Sequence, residues 1–417
     1  MAKKKQAAEH ADSVPLSGRL TTLLAVATAI LYYFSNPSPQ DHYDYTFRVA
    51  ANMLHGRIAF SLPQPSWLNE FVPFEGYYYS VFPLGAVLSM LPFSLLQVLG
   101  VIRVMPGALI AALLAGTSCW FCLRIAERYE VENSKRVVYS LGILFGTFTW
   151  ANLTFEGAWQ LALGFAMLGE LGSIYYTLFD RRPLIAGIFF AMAFGNRTEC
   201  LLTAPLLMCL LWREPNEDKV PTGEEPSERA RVLNILRFCA VPLVLGIATL
   251  AYNYVRFHSA GDFGYARIPG VLEEPWYNHG IFSVHYIPRQ AYEMLLKLWN
   301  LKSTFPYLIP DGFSASILLS SPFLLLILRV GAKDGAVKLC SWIAVALLTT
   351  TLWMHGNSGG WQFAYRYAMV LLPWMFVLLL ESAKKHVTKV EWALISFSLV
   401  ANAYATWLFN WTDYVKP

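Results

Sequence analysis

Charged residues are scarce in this chain of 417 residues. Asp, Glu, Lys and Arg together make up 14% of it, and hydrophobic residues make up 56%. Soluble domains carry roughly 25% charged residues. The composition therefore excludes an ordinary soluble domain and predicts a polytopic membrane protein.

Other features are also missing. The net charge of +4 is too small for a nucleic-acid binder. All six cysteines lie within or beside apolar runs, so the disulfide framework of a small secreted domain is not indicated. The sequence has neither a fixed-period repeat nor a Gly-rich nucleotide loop, which argues against transport powered by an internal ATPase.

Repeated apolar runs approach the roughly 20 residues that a membrane-spanning helix needs, and none follows the ~10-residue alternation of a membrane barrel. We predict an all-α fold with about 11 transmembrane helices in a single domain over residues 1–417. Lys3, Lys4 and Lys5 precede the first run. By the positive-inside rule they place the N-terminus in the cytoplasm and Asp41 on the opposite side.

The distribution of Lys and Arg residues assigns each loop to one side of the membrane. Residues 35–102 form a first outer loop with juxtamembrane helices, and its segment 82–98 is re-entrant because the basic stretch after it must return to the cytoplasm. Residues 213–237 form a cytoplasmic loop, and residues 257–312 form a second outer loop. The run 184–212 is too long for one crossing, so we predict a hairpin of two short helices that turns at 195–199.

Asp41 and Asp44 directly follow the first apolar run. Residues three apart share a helix face, so the two carboxylates suit a general base or a metal ligand at the outer surface. The alternative is that they cap the amphipathic helix that begins near Tyr43. Two carboxylates alone make a poor site for a hard cation, so a divalent ion is possible but no metal site is assigned.

Arg197 and Arg366 are candidates for binding an anion. A charge within a helical membrane region costs about 2.5–3.5 kcal/mol, so a charged residue there indicates a functional site. The alternatives are that Arg197 pairs with Glu199 and that Arg366 is an interfacial anchor among aromatic residues. Glu70 and Tyr78 lie in the first outer loop. The aromatic segment around Tyr78 forms either a membrane belt or a groove for a lipid tail.

The order of these parts resembles the GT-C superfamily of integral membrane glycosyltransferases. Within it, the chain is similar to polyprenyl-phosphate-sugar enzymes such as aminoarabinose transferase and the protein O-mannosyltransferases. The resemblance rests on Asp41-His42-Tyr43-Asp44, Ala50 to Arg57, Gly76 to Gly85, Gly195 to Glu199, Tyr252 to Phe257 with Gly264-Tyr265, and Gly360 to Tyr367.

The resemblance implies transfer of one sugar from a polyprenyl-phosphate carrier to a glycan, lipid or protein acceptor, with inversion, on the non-cytoplasmic side of a membrane such as the bacterial inner membrane. It implies Asp41 or Asp44 as the base. The implied substrate-binding residues are Arg197, Arg366, Tyr78, Tyr265, Gln362 and Glu70. The competing interpretations are a transporter or flippase, and a polymerase or ligase, of lipid-linked glycans.

Overall fold

A computed structural model describes residues 16–37, 43–213 and 227–415. These residues are mostly helical, which confirms the predicted helical class, and they also form two small antiparallel sheets that the sequence did not indicate. The strands are β1 (Phe71–Phe74), β2 (Tyr77–Ser80), β3 (Asn300–Leu301) and β4 (Leu308–Ile309). The α-helices are α1 (Gly18–Tyr33), α2 (Tyr45–Leu54), α3 (Leu84–Val98), α4 (Gly107–Ala126), α5 (Asn133–Phe145), α6 (Thr149–Leu153), α7 (Ala158–Leu178), α8 (Pro183–Asn196), α9 (Ala204–Trp212), α10 (Glu228–Phe257), α11 (Ile287–Leu295), α12 (Ile317–Ser320), α13 (Gly335–Met354), α14 (Leu372–Glu381) and α15 (Lys389–Trp411).

Five of these helices are long and apolar enough to cross a membrane, namely α4, α7, α10, α13 and α15. Shorter apolar helical segments include α1, α3, α8 and the unit 198–212 that ends in α9. The described residues therefore have the architecture of a helical membrane protein. The full number of crossings stays a prediction.

Helices α1 and α4 pack antiparallel. The Thr21 hydroxyl near the start of α1 donates to Glu127 just after α4, over 3.4 Å. Gly116 permits close packing, since a Cβ there would lie 2.9 Å from the Ala25 carbonyl oxygen. The end of α1 and the start of α4 thus lie at the same end of the bundle. That residues 82–98 are re-entrant stays a prediction.

The segment 184–212 reverses direction. Helix α8 ends at Asn196, Arg197 is extended, and a 3-10 helix (Thr198–Thr203) leads into α9. The guanidinium of Arg181, which precedes α8, donates to the carbonyl of Leu211 over 2.6 Å at the far end of α9. Because the two outer ends of the segment meet, Arg197 lies at the tip of a helical hairpin.

Helix α10 is longer than the sequence analysis placed it. Its 30 residues span about 45 Å, more than the ~30 Å of a bilayer core. The Ser227 side chain caps it by accepting from the Ala230 amide. Residues 228–237 of the predicted cytoplasmic loop are therefore helical, and residues 214–226 lie outside the described part of the chain.

Several connections meet at one end of the bundle. The Ala158 amide donates to the Tyr43 carbonyl over 2.8 Å, and the Trp411 indole donates to the Ser35 carbonyl over 2.9 Å. The Phe363 amide donates to the Asn152 side chain over 3.0 Å. We call this end, formed by residues 34–37, 154–160, 355–367 and 409–413, the outer end. Of these segments, residues 35–37 belong to the predicted first outer loop.

Candidate functional site

Two cavities lie side by side at the outer end. Cavity 1, of about 580 Å³, is lined by residues that include Asn36, Glu70, Gln160, Trp361, Arg366 and Asn410. Cavity 2, of about 730 Å³, is lined by residues that include Arg197, Glu199, Leu201, Leu202, Phe282 and His355. Trp159, Tyr265 and Tyr367 line both. These aromatic side chains therefore form the boundary between a polar chamber and a largely apolar one.

Arg366 is buried in the wall of cavity 1, at 5% exposure. It begins a 3-10 helix (Arg366–Leu371), and one terminal nitrogen donates to the Trp361 carbonyl over 3.0 Å. Its Nε has no hydrogen-bond partner among the described residues, and none of their carboxylates pairs with it. A buried guanidinium with donors to spare is suited to bind an anion.

Gln362 supports Arg366 rather than reaching a ligand. Its side-chain oxygen accepts from the Arg366 amide over 2.9 Å, and its nitrogen donates to the carbonyls of Ser358 and Phe313. The side chain is fully buried and lines neither cavity. Its predicted role in substrate binding is therefore indirect in this structure.

Glu70 lines cavity 1, and its Oε2 accepts from the Trp159 indole over 2.6 Å. Burial raises the pKa of this carboxyl to about 8, against the opposing effects of the Trp159 hydrogen bond and the positive charge of Arg366. A carboxyl with a pKa in this range can both accept and release a proton near neutral pH. Glu70 is thus a stronger chemical candidate than its predicted binding role implies.

Of the two predicted aspartates, only Asp44 is among the described residues. Asp41 lies outside the described residues, although Pro37 and Tyr43 on either side of it both line cavity 1. Asp44 precedes α2, is 8% exposed, and pairs with Arg48 over 2.6 Å. It lines neither cavity. It is the residue before α2, but its side chain makes no capping hydrogen bond to the helix. A catalytic role for either aspartate stays a prediction.

Arg197 lines cavity 2, but its charge is already paired. Its terminal nitrogen lies 2.7 Å from Glu199, and its guanidinium lies 4.7 Å from the centre of the Tyr367 ring. The broken helix at Arg197 allows this pairing, since residues two apart on a regular helix point to different faces. Arg197 therefore offers less attraction to an anion than Arg366 does.

The two predicted tyrosines have different surroundings. Tyr265 lines both cavities, and its hydroxyl lies 2.9 Å from that of Tyr277. Tyr78 lies on β2, where its amide and carbonyl bond with Phe60. It lines neither cavity, so the structure gives it a place in the folded loop instead of at the site.

The sequence analysis missed Trp159 and His355. The Nδ1 of His355 bonds to the Asn357 carbonyl over 2.7 Å, and burial lowers the pKa of its imidazole. Trp159 opens a span and carried no signal of a shared cavity wall. Among the described residues, no group of three or more His, Cys, Asp or Glu side chains is placed to hold a metal ion.

No protein family, curated protein or solved structure matches this chain. The function must therefore be argued from the two cavities and their residues.

Proposed function

We propose that this protein is a membrane glycosyltransferase that moves one sugar from a polyprenyl-phosphate carrier to an acceptor hydroxyl at the outer end of the bundle. The observation that carries the proposal is that Glu70 and Arg366 both line cavity 1. Arg366 has no carboxylate partner among the described residues, and its positive charge acts on Glu70 by opposing the rise of the Glu70 pKa. A proton acceptor and an anion binder thus share one chamber.

The adjoining cavity supports a lipid-linked donor. Its wall includes Leu201, Leu202 and Phe282, whose side chains are 54%, 40% and 58% exposed. Such a chamber, beside the tip of an apolar hairpin, suits a hydrocarbon chain. The prenyl chain of the carrier lies there and passes the boundary formed by Trp159, Tyr265 and Tyr367, so that the phosphate lies at Arg366 and the sugar lies beyond it in cavity 1.

The chemistry is a single displacement. The acceptor hydroxyl gives its proton to a carboxylate as its oxygen bonds to the anomeric carbon. The bond from that carbon to the phosphate oxygen breaks, and its electron pair leaves with the phosphate. Polyprenyl phosphate then carries one more negative charge, which Arg366 stabilises, and the configuration of the sugar inverts. A phosphate leaving group is a weak base, so no general acid is required.

Glu70 is the described carboxyl that we assign to take the proton, because it lines cavity 1 and Arg366 acts on its charge, whereas Asp44 does not line the cavity. Asp41 is retained as the alternative, since the residues flanking the segment 38–42 line the same cavity. Single substitutions of Glu70 and Asp41 separate the two candidates.

The experiment is to incubate the purified protein in detergent with labelled polyprenyl-phosphate sugars and an acceptor extract, and to measure release of polyprenyl phosphate. Release that depends on the acceptor supports the proposal. A protein that moves the intact labelled donor across proteoliposome membranes without cleaving it is a transporter, and that result overturns the proposal.

A further inference from the structure

One part of cavity 1, which is not shared with cavity 2, has an aromatic wall. Phe155, Trp361 and Phe409 all line it. Ring centroids lie 5.1 Å apart for Trp361 and Phe409, and 5.3 Å apart for Phe155 and Phe409. The rings come from residues 154–160, residues 355–367 and the last turn of α15, so the fold assembles this surface from distant parts of the chain.

Amide side chains lie beside the aromatic wall. Asn410 donates to the Thr154 hydroxyl over 2.8 Å, and Gln160 donates to the Trp361 carbonyl over 3.2 Å. Both line cavity 1, and no described residue donates a hydrogen bond to either side-chain oxygen. Each amide is held in place through its nitrogen and keeps an acceptor for a ligand.

The ionisable residues that line cavity 1 are mainly acidic. Glu70, Glu274 and Asp413 line it, whereas Arg366 is the only Lys or Arg among the described lining residues. In the proposed function Arg366 is occupied by the donor phosphate. The rest of the chamber then offers no cation among its described residues, and like charge disfavours a second anion.

We infer that this part of cavity 1 is the acceptor site and that it takes a glycan without negative charge. This inference rests on the proposed function and adds the class of the acceptor. The C–H face of a pyranose ring is apolar and packs on aromatic rings, while its hydroxyls donate to the oxygens of Gln160 and Asn410. A glycan that carries carboxylates or phosphates meets Asp413 and Glu274 instead.

Binding of trisaccharides without any donor tests the inference. The probes are chitotriose, which is neutral, the chitosan trimer, which carries amines, and trigalacturonic acid, which carries carboxylates. We expect quenching of tryptophan fluorescence by chitotriose or the chitosan trimer, with trigalacturonic acid at least about tenfold weaker, equivalent to about 1.4 kcal/mol. Failure of all three probes, or equal or tighter binding of the acidic trimer, overturns the inference.

Variants locate the binding. Trp361→Ala weakens it at least about tenfold through loss of the stacking surface, and Trp392→Ala, at the opposite end of α15, leaves it unchanged. Unaltered binding in Trp361→Ala contradicts the assigned site. Asp413→Lys, at an exposed position on the rim, is an independent variant that improves binding of trigalacturonic acid relative to chitotriose. An unchanged preference in Asp413→Lys contradicts the charge argument.

Donor cleavage on the same preparation separates the two claims. Acceptor-dependent release of polyprenyl phosphate without trisaccharide binding contradicts the assigned acceptor class and supports the proposed function. Trisaccharide binding without cleavage of the donor contradicts the proposed function and supports the glycan site.

Discussion

At the scale of single residues, the two cavities distinguish ionisable groups that share a chamber from those that are already paired. Glu70 and Arg366 line cavity 1, whereas Asp44 and Arg197 form ion pairs with Arg48 and Glu199. The sequence identified the ionisable residues because charge is costly near a membrane. It did not show which of them the folded chain neutralises.

The pH dependence of transfer tests Glu70. A base acts in its ionised form, and burial raises the pKa of Glu70 to about 8, so we expect the rate to rise with pH through that value. Glu70→Gln removes the rise and lowers the rate at least about 100-fold. The matched control Glu75→Gln, at an exposed position in the same loop, keeps the wild-type profile. A rise with pH that persists in Glu70→Gln contradicts Glu70 as the base and points to Asp41 instead.

Asp44 has a different prediction. Its carboxylate pairs with Arg48 and lines neither cavity, so Asp44→Asn retains transfer within a few-fold and costs about 0.2–1 kcal/mol of stability. Transfer rates and thermal unfolding of Asp44→Asn and Asp41→Asn, measured together, check this. Loss of transfer in a stable Asp44→Asn protein contradicts the structural role assigned to Asp44.

At the scale of elements, the hairpin tip that carries Arg197 is held by a contact between glycines. A Cβ on Gly85, at the start of α3, would lie 2.4 Å from the Gly195 Cα. Asn196 also donates to the Ser89 hydroxyl over 2.9 Å. This contact fixes the wall of cavity 2 to the first outer loop, so we expect its loss to change the shape of cavity 2.

Gly85→Ala tests that contact. The added methyl group forces the tip and α3 apart, which costs about 1–3 kcal/mol, and we expect a lower unfolding temperature together with weaker use of the lipid-linked donor. Gly246→Ala is the matched control, because nothing lies within 4 Å of a Cβ there. An unfolding temperature equal to that of the wild type in Gly85→Ala would show that the two segments are not packed in this way.

Arg256 ties the end of α10 to the first outer loop. It is fully buried, its guanidinium donates to the carbonyls of Ser80 and Phe82, and it stacks 3.9 Å from the Tyr252 ring. Arg256→Met leaves buried carbonyls unpaired and lowers stability by about 1–3 kcal/mol. Thermal unfolding against Arg237→Met, at an exposed position on the same helix, measures the difference. Equal unfolding temperatures of Arg256→Met and Arg237→Met contradict this role of Arg256.

The sequence predicts a secondary-structure element more accurately when a single physical cause determines it. Apolar runs marked the helices because burial of the backbone in lipid demands them. The strands β1 and β2 were not foreseen, since their pairing is decided by packing within an outer loop. The start of α10 was misplaced because its first turns are polar and its Ser227 cap resembles a loop residue.

At the scale of the whole molecule, all the connections that line the cavities meet at one end. The basic connectors meet at the other, where Arg213 pairs with Asp334 over 2.6 Å and Tyr129 donates to Glu381 over 2.9 Å. Charge counting anticipated this separation of polar and basic loops. It gave no account of how the outer loops combine into two cavities, which depends on contacts such as that of Trp159 with Glu70.

Cysteine labelling tests the orientation of the molecule. In a protein in which exposed Cys209 is replaced by Ser, we expect Ser303→Cys to react with a membrane-impermeant maleimide added to intact cells. Lys385→Cys, exposed at the opposite end, reacts only after permeabilisation. The reverse pattern places the cavities on the cytoplasmic side and removes the basis for a lipid-linked donor.

The most direct test of the account is acceptor-dependent release of polyprenyl phosphate by the wild type, by Arg366→Gln and by Arg103→Gln. Arg103 is an exposed arginine that directly follows the first outer loop and lines neither cavity. We predict release by the wild type and by Arg103→Gln, and a loss of at least about 100-fold in Arg366→Gln, because the charge that develops on the phosphate loses its main donor. Wild-type release by a folded Arg366→Gln protein, or none by the wild type with any donor supplied, contradicts the account.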